Sequence, residues 1–457
     1  MSVLWTAQDI AAATGGTASA DFAVGGVAFD SREVGPGDLF IALKGEATDG
    51  HRFVDGAFAQ GAAGAIVSTP VPHPHILVSD TTAALNALGV AARARTSARI
   101  AGVTGSVGKT STKEALAAAL ARANRGPVHR SVKSYNNHTG VPLSLGRMPA
   151  ETHFGVFEMG MNHAGEISAL TRLVRPHVAL ITAIAPAHIE NLGSMEAIAD
   201  AKGEIFEGLE PGGTAILPFD TPYRDRLIGH ATGKAAKIVT FGRAAGADVT
   251  AREVLQTVDG TLVTALLPGA EVTFTLSQPG DHWVLNALAV LAAVQAMGGD
   301  LAAAGLALGE LEGLTGRGAR HQIAANGGTA LLIDESYNAN SASMAATLAV
   351  LGETPAKRRI ALLGEMRELG VQSAALHAGL AAPVLAAGVD LLLLVGTDMA
   401  PLADALAGQI EVRHLPDAEA ALSALQPLIR AEDVLLVKGS NAVGLSRVVA
   451  GLMSGDK

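Results

Sequence analysis

At 457 residues the chain is too long for one ordinary hydrophobic core, and a working size of about 150 residues per domain divides it into three. With 49% hydrophobic and 17% charged residues it has the composition of a well-buried α/β protein, which excludes a disordered chain. A formal net charge of -10 argues against nucleic acid as a partner, and the lack of cysteine excludes disulfides, thiolate metal sites and cysteine nucleophiles while agreeing with a reducing cytosol.

The segment Met1 to Ile10 contains Asp9 and no basic stretch, and no apolar run reaches the roughly 20 residues that cross a bilayer. A soluble, cytoplasmic protein with no membrane span is therefore expected. Short apolar runs at Val24 to Phe29, Leu39 to Leu43, Ala65 to Val67 and Ile76 to Val78, separated by Gly, Pro and Asp, predict a small α/β domain over residues 1–80. Asp80 then caps a predicted helix from Thr81 to Arg95 that links this unit to the next.

From Ile100 onward, strands alternate with helices: Ile100 to Val103, Phe154 to Phe157, Val178 to Ile184, Thr214 to Leu217 and Ile238 to Phe241. That alternation predicts a mostly parallel sheet covered on both faces, in a central domain over residues 81–313. Between Asp248 and Leu276 the period falls to two, with Asp259-Gly260 as a hairpin turn, so a small antiparallel extension is expected before a buried helix from Trp283 to Met297. After the Gly-rich stretch Gly313 to Gly318, strands at Ala330 to Ile333, Ile360 to Leu363, Leu391 to Val395 and Val434 to Val437 predict a Rossmann-like domain over residues 314–457.

Thr104-Gly105-Ser106-Val107-Gly108-Lys109-Thr110 follows a strand and precedes an Ala-rich helix, Thr112 to Asn124, which is the context a phosphate loop requires. The glycines let backbone N–H groups turn toward an anion, and the helix N-terminus adds its positive dipole end. Lys109 can reach β- and γ-phosphates, and Thr110 can ligate Mg²⁺. The strict pattern wants Gly at position 103, where this chain has Val103. A phosphate loop alone does not separate a ligase from a kinase, a GTPase or a transport ATPase.

Glu158 stands at the end of its strand, where parallel α/β sheets place ligand groups, and His188 and Lys202 follow in order. Taken singly, each has an ordinary explanation: a surface ion pair, a hydrogen-bonded loop histidine, a solvated helix lysine. Their order after a phosphate loop gives them a shared purpose.

With these residues in view, positions 100–320 resemble the Mur ligases, amide-forming enzymes whose ATP loop reads T-G-[ST]-x-G-K-T and is followed by a Glu, a His and a Lys. Gly280-Asp281-His282 with Asn286, Gly316-Arg317 and Asp334 match further elements, while Pro218 and Trp283 depart from residues frequent in the family. Phe29-Asp30-Ser31-Arg32, Gly37-Asp38-Leu39-Phe40, Ala42-Leu43-Lys44-Gly45 and Asp49-Gly50-His51 resemble a UDP-binding domain shared by two branches of the family. Asn136 to Pro142, Asp334 to Asn340, Gly364 to Gly370 and Val437 to Ser440 resemble the branch that adds D-alanyl-D-alanine, and the Asp-Asn-Pro-Arg signature of the tripeptide-forming branch is absent.

The resemblance implies three α/β domains: a small UDP-binding domain, a central parallel-sheet phosphate-loop ATPase domain and a C-terminal Rossmann-like domain. It implies ATP and two Mg²⁺ ions as cofactors, and UDP-N-acetylmuramoyl-tripeptide and D-alanyl-D-alanine as partners of a monomer. Catalysis would fall to Lys109, Glu158, His188, Lys202 and Arg317. The nucleotide would be held by Thr104, Gly105, Ser106, Val107, Gly108, Lys109, Thr110, Asn286, Arg317 and Asp334, with Asp334 near the ribose. Substrates would be held by Ser31, Arg32, Asn137, Asn338 and Lys438, and metal by Thr110, Glu158, His188 and Lys202, the lysine being carbamylated by CO₂. Two rivals stand beside this reading. One is a nucleotide-sensing phosphate-loop protein, and the other is a different ligase of the superfamily, such as a folylpolyglutamate synthase.

Overall fold

The computed structural model describes residues 3–45, 48–257 and 260–454. Among them, three main sheets follow one another along the chain. The first has five strands in the order Thr17–Ala18, His75–Leu77, Gly64–Val67, Asp38–Ile41 and Gly26–Ala28, parallel except at the Thr17–Ala18 edge. The expected strand Val24 to Phe29 is in fact divided: Ala23–Val24 pairs with Trp5–Thr6 in a separate ribbon, and Gly26–Ala28 joins the sheet. The intervening Gly25 donates its N–H to Gly37 and belongs to neither strand.

The central sheet runs Ala270–Leu276, Gly260–Leu267, Val249–Thr257, Lys237–Gly242, Thr214–Pro218, Val178–Ile181, Arg99–Thr104, Phe154–Glu158, Val128–Arg130. Seven of these strands are parallel, and the hairpin Gly260–Leu267/Ala270–Leu276 adds the expected antiparallel edge. Of the predicted turn Asp259-Gly260, Asp259 lies outside the described residues, and the flanking Thr257 and Gly260 face each other in register. Strand order reverses around Arg99–Thr104: the chain first runs outward on one side to Val128–Arg130, returns through Phe154–Glu158, and then crosses to Val178–Ile181 on the other side. A crevice opens beyond the carboxyl ends of strands at such a point, and the phosphate loop sits there.

The third sheet runs Ala319–Ala325, Gly328–Glu335, Asp433–Lys438, Arg358–Gly364, Leu391–Val395, Glu411–Leu415, parallel except for the edge strand Ala319–Ala325. That edge strand and Glu411–Leu415 were not foreseen, because their alternating polar residues carry no continuous apolar run.

Packing joins the first two sheets more closely than a domain count suggests. A single apolar core runs from Trp5, Ile10 and Ile66 through Leu85 and Leu88 of the helix Thr81–Ala94 to Phe157, Ile181 and Leu217 under the central sheet. Asp80 caps that helix, accepting from the N–H groups of Thr82 and Ala83. Trp5 Nε1 donates to Gly146 O at 2.8 Å, and the Arg95 guanidinium lies 3.4 Å from the Trp5 ring centre. The opposite face of the central sheet packs on the helices Lys109–Arg122 and Asp281–Ala296. Among the described residues, no helix is long and apolar enough to cross a membrane.

Candidate active site

The helix Lys109–Arg122 begins directly at the phosphate loop, three residues earlier than its apolar pattern suggested. Gly105 has φ +150°, and a Cβ there would lie 1.9 Å from Thr182 Oγ1. Thr182 cannot swing aside freely, since its hydroxyl donates to Val107 O at 2.5 Å and lies 3.2 Å from Thr104 O. Ser106 N donates to Ala183 O at 2.8 Å, and Ser106 Oγ accepts from Ala185 N at 3.0 Å. The loop is thus stitched to the segment leaving Val178–Ile181. Gly108 has φ +80°, and a Cβ there would lie 2.9 Å from Asn286 Oδ1. Position 103 needs no glycine, because Val103 is still within the strand and fully buried.

Lys109 Nζ donates to Gly105 O at 2.7 Å. Burial pushes its pKa down, with Glu158 pulling the other way and Arg317 adding to the depression. Glu158 is 1% exposed. One of its oxygens accepts from Thr110 Oγ1 at 2.8 Å and the other from Asn136 Nδ2 at 2.7 Å, while its backbone N–H donates to Ser131 Oγ at 2.9 Å. Among the described residues no cluster of three His, Asp or Glu side chains could cage a metal unaided. The pair Thr110 and Glu158 beside a phosphate loop nevertheless suits Mg²⁺, a hard cation held by one or two carboxylates together with substrate phosphates.

His188 adopts φ +59° and reaches across to the C-terminal sheet. Its Nδ1 is buried and lies against Glu368 Oε2. Lys202, near the end of the helix Met195–Gly203, is 2% exposed. Burial drives its pKa well below the ordinary value, and the charge of Lys109 adds to that depression. A lowered pKa enlarges the share of neutral amine, the form that reacts with CO₂.

The other wall comes from the third sheet. The loop before Ala319–Ala325 is a tight turn in which Arg317 N donates to Leu314 O at 2.7 Å and Gly316, at φ +74°, donates to Asp334 Oδ2 at 2.7 Å. Asp334 also accepts from Ser336 N at 3.1 Å and Ser336 Oγ at 2.6 Å, so its carboxylate is occupied by its own loop. The next residue, Glu335, faces the cavity instead. Arg317 lies over the Tyr337 ring, 4.2 Å from its centre. Lys438 Nζ donates to Asn338 O at 2.9 Å and approaches Glu335 Oε2 at 3.4 Å. Burial pushes the Lys438 pKa down and that of Glu335 up, and each is partly offset by the other's charge. Burial also takes His282, on the adjoining helix, down to about 4, so it is neutral at pH 7.

These walls enclose a cavity of about 550 Å³. It brings together Ser106, Val107, Gly108, Lys109, Thr110, Asn137, Glu158, His188, Lys202, Asn286, Arg317, Asn338 and Lys438. Trp283 lines it as well, whereas Pro218 ends a central strand away from it. Thr104 and Gly105 do not line it, and Asp334 is turned into its own turn. Ser31 and Arg32 sit apart on a turn of the N-terminal sheet, where Asp30 pairs with the Arg32 guanidinium at 2.6 Å. Asn136, Thr182, Glu335 and Tyr337 join the site with no role assigned from sequence, and His282, which the resemblance sets beside Asn286, lines it too. Glu335 and Asp334 are adjacent carboxylates, and only the strand's alternation, unreadable without its register, separates them.

Family models describe three stretches of the chain: residues 23–125 match the Mur ligase family, catalytic domain, residues 103–294 the Mur ligase middle domain, and residues 319–441 the Mur ligase, glutamate ligase domain. The chain is 39% identical to the UDP-N-acetylmuramoyl-tripeptide–D-alanyl-D-alanine ligase of Escherichia coli (strain K12), over 95% of this chain and 94% of that one. It resembles the crystal structure of MurF from Acinetobacter baumannii with a TM-score of 0.85 and 32% identity, covering 98% of this chain and 99% of that one. It also resembles MurF ligase from Thermotoga maritima in complex with ADP, with a TM-score of 0.78 and 26% identity over 94% and 97% of the two chains.

Proposed function

The chain belongs to the Mur ligase family, and on that premise we propose that it joins D-alanyl-D-alanine to UDP-N-acetylmuramoyl-tripeptide at the expense of ATP, giving the UDP-muramoyl-pentapeptide of peptidoglycan synthesis. The observation that carries this reading is the single cavity in which a phosphate loop and Glu158 face Arg317, Asn338 and Lys438 from the third sheet. A nucleotide sensor has no need of that facing set. The working division is 1–80 for the UDP-muramoyl substrate, 81–313 for ATP and 314–457 as a C-terminal Rossmann-like ligase domain, in a cytoplasmic monomer.

In the first step a carboxylate oxygen of the tripeptide attacks the γ-phosphorus of ATP and ADP departs, leaving an acyl phosphate. The amine of D-alanyl-D-alanine then attacks the acyl carbon. The tetrahedral intermediate expels phosphate, and the nitrogen loses its extra proton. The first step brings two anions together, so positive charge at the transferring oxygens is the main catalytic requirement. Lys109 and Arg317 supply it from opposite walls, and the N–H groups of the loop and the helix start add to it.

Thr110 and Glu158 would hold one Mg²⁺ and His188 with carbamylated Lys202 a second, and the ions would supply further screening of phosphate charge. The burial of Lys202, which together with the charge of Lys109 drives its pKa well below the ordinary value, supports the carbamate. Arg317, Tyr337 and Lys438 belong to the third sheet, so the site is complete only while that sheet covers the phosphate loop. The same arrangement keeps water from the acyl phosphate.

The test is phosphate release from ATP with UDP-muramoyl-tripeptide, with and without D-alanyl-D-alanine, followed by the mass of the product. Release that needs both substrates and yields the pentapeptide supports the reading. Release indifferent to D-alanyl-D-alanine returns the chain to another ligase of the superfamily, and binding without turnover to a sensor.

A further inference from the structure

A short segment, Ser131 to Asn137, touches all three parts of the molecule, and a buried lysine holds it. Lys113 lies one turn beyond Lys109 on the phosphate-loop helix and is fully buried. Its Nζ donates to Ser131 O at 2.8 Å and Lys133 O at 2.6 Å, and lies 2.9 Å from Glu114 Oε1. An ammonium has three protons, and these three acceptors satisfy them, which is the condition for burying such a charge at tolerable cost. A hydrophobic side chain of similar length would fill the same space but leave two carbonyls unpaired and the segment without its anchor.

The anchored segment makes three connections. Toward the site, Asn136 Nδ2 donates to Glu158 Oε1 at 2.7 Å and Ser131 Oγ accepts from Glu158 N at 2.9 Å. Toward the N-terminal sheet, Lys133 pairs with Glu33, Tyr135 OH donates to Glu33 Oε1 at 2.8 Å, and the Tyr135 ring packs on Phe29 at 5.6 Å between centres. Toward the third sheet, Ser134 Oγ meets the hydroxyl of Tyr337, whose ring carries the Arg317 guanidinium. Lys133 itself is held at φ +52°, a conformation that a non-glycine residue keeps only when its surroundings impose it. Glu33 directly follows Ser31 and Arg32, so the segment lies between the turn proposed to hold the UDP-muramoyl substrate and the carboxylate proposed to hold metal.

We propose that Lys113 is a positioning residue: it fixes the Ser131–Asn137 segment so that substrate on the N-terminal sheet and closure of the third sheet both bear on the orientation of Glu158. This inference rests on the functional reading above for the identity of the substrate. It makes binding at the two outer sites cooperative through a physical chain of contacts, and coupling of this kind typically amounts to about 5- to 150-fold in affinity.

The experiment measures the affinity of a non-hydrolysable ATP analogue with Mg²⁺, alone and with saturating UDP-muramoyl-tripeptide, for the wild-type chain and Lys113→Met. In the wild type the tripeptide should tighten the analogue by a factor in that range. In Lys113→Met the factor should fall to within about twofold of one while the analogue alone binds within about threefold of wild type, and at saturating tripeptide KM for ATP should rise by about the coupling factor that is lost while kcat drops at least about tenfold. A purely structural lysine would lower stability without moving the coupling factor. A folded Lys113→Met with wild-type coupling overturns the proposal, as does a wild type with no coupling. If Lys113→Met fails to fold, Glu33→Gln carries the test from the substrate side: loss of coupling supports the proposal and its persistence overturns it. A wild type that couples the two ligands but forms no amide product defeats the ligase reading alone.

Discussion

Gly105→Ala tests how the phosphate loop is held. A Cβ at this position would lie 1.9 Å from Thr182 Oγ1, against the 3.4 Å or more of ordinary contact, and the backbone sits at φ +150°. Adopting that conformation with an L side chain costs about 1–3 kcal/mol. Moving the Thr182 hydroxyl aside sacrifices its contacts with Val107 O and Thr104 O, at about 0.5–1.5 kcal/mol each. In the free variant the loop relaxes, and nucleotide binding must restore it against a total of about 2–6 kcal/mol. At about 1.4 kcal/mol per tenfold, ATP-analogue affinity should fall by roughly 30-fold at least and by about 10⁴-fold at most. The double variant Gly105→Ala/Thr182→Ala separates the two costs, because it removes the hydroxyl clash and keeps the backbone cost. It should bind about 5- to 150-fold more weakly than wild type. Titration calorimetry reads both. Gly105→Ala binding within threefold of wild type would refute the account, and so would a double variant no better than the single one.

Three further outcomes follow from the site and its surroundings. Lys202 has its pKa lowered in the fold, so between that pKa and 10.5 the unfolded chain binds more protons and wild-type stability rises with pH. In CO₂-free buffer, thermal unfolding of Lys202→Met should show a flatter rise with pH below 10.5, and equal slopes would contradict the lowered pKa. Burial takes His129 down to about 4, so stability is lost as pH falls from 6.5 toward 4, by up to about 3 kcal/mol at roughly 1.4 per pH unit. His129→Gln, which can still donate to Ser144 O, should reduce the acid shift of the urea midpoint; an undiminished shift would assign it elsewhere. Asp334→Asn should lower stability by about 1–3 kcal/mol and reduce kcat, because it loosens the turn bearing Arg317. Wild-type stability with weakened nucleotide binding would instead put that carboxylate at the ligand.

The order of elements and the phosphate loop are legible in the chain because both rest on local physics. Apolar runs of strand length alternate with Ala-rich helices, and the spacing of Gly105, Gly108, Lys109 and Thr110 needs only the strand before it and the helix after it. The family resemblance, drawn from those motifs in order, agrees with matches over nearly the whole chain. Tertiary structure decides what depends on distant partners. Asp334 and Glu335 cannot be told apart by composition, yet the loop ending at Gly316 captures the first and leaves the second in the cavity. Glu158 meets Asn136 across 22 residues, and Lys113, which reads as an ordinary helix lysine, is buried against a segment that binds three sheets together. A hydrophobic period shows which face of an element is buried, but the partner that face meets is set by strand register and sheet order, and these exist only once the chain has folded.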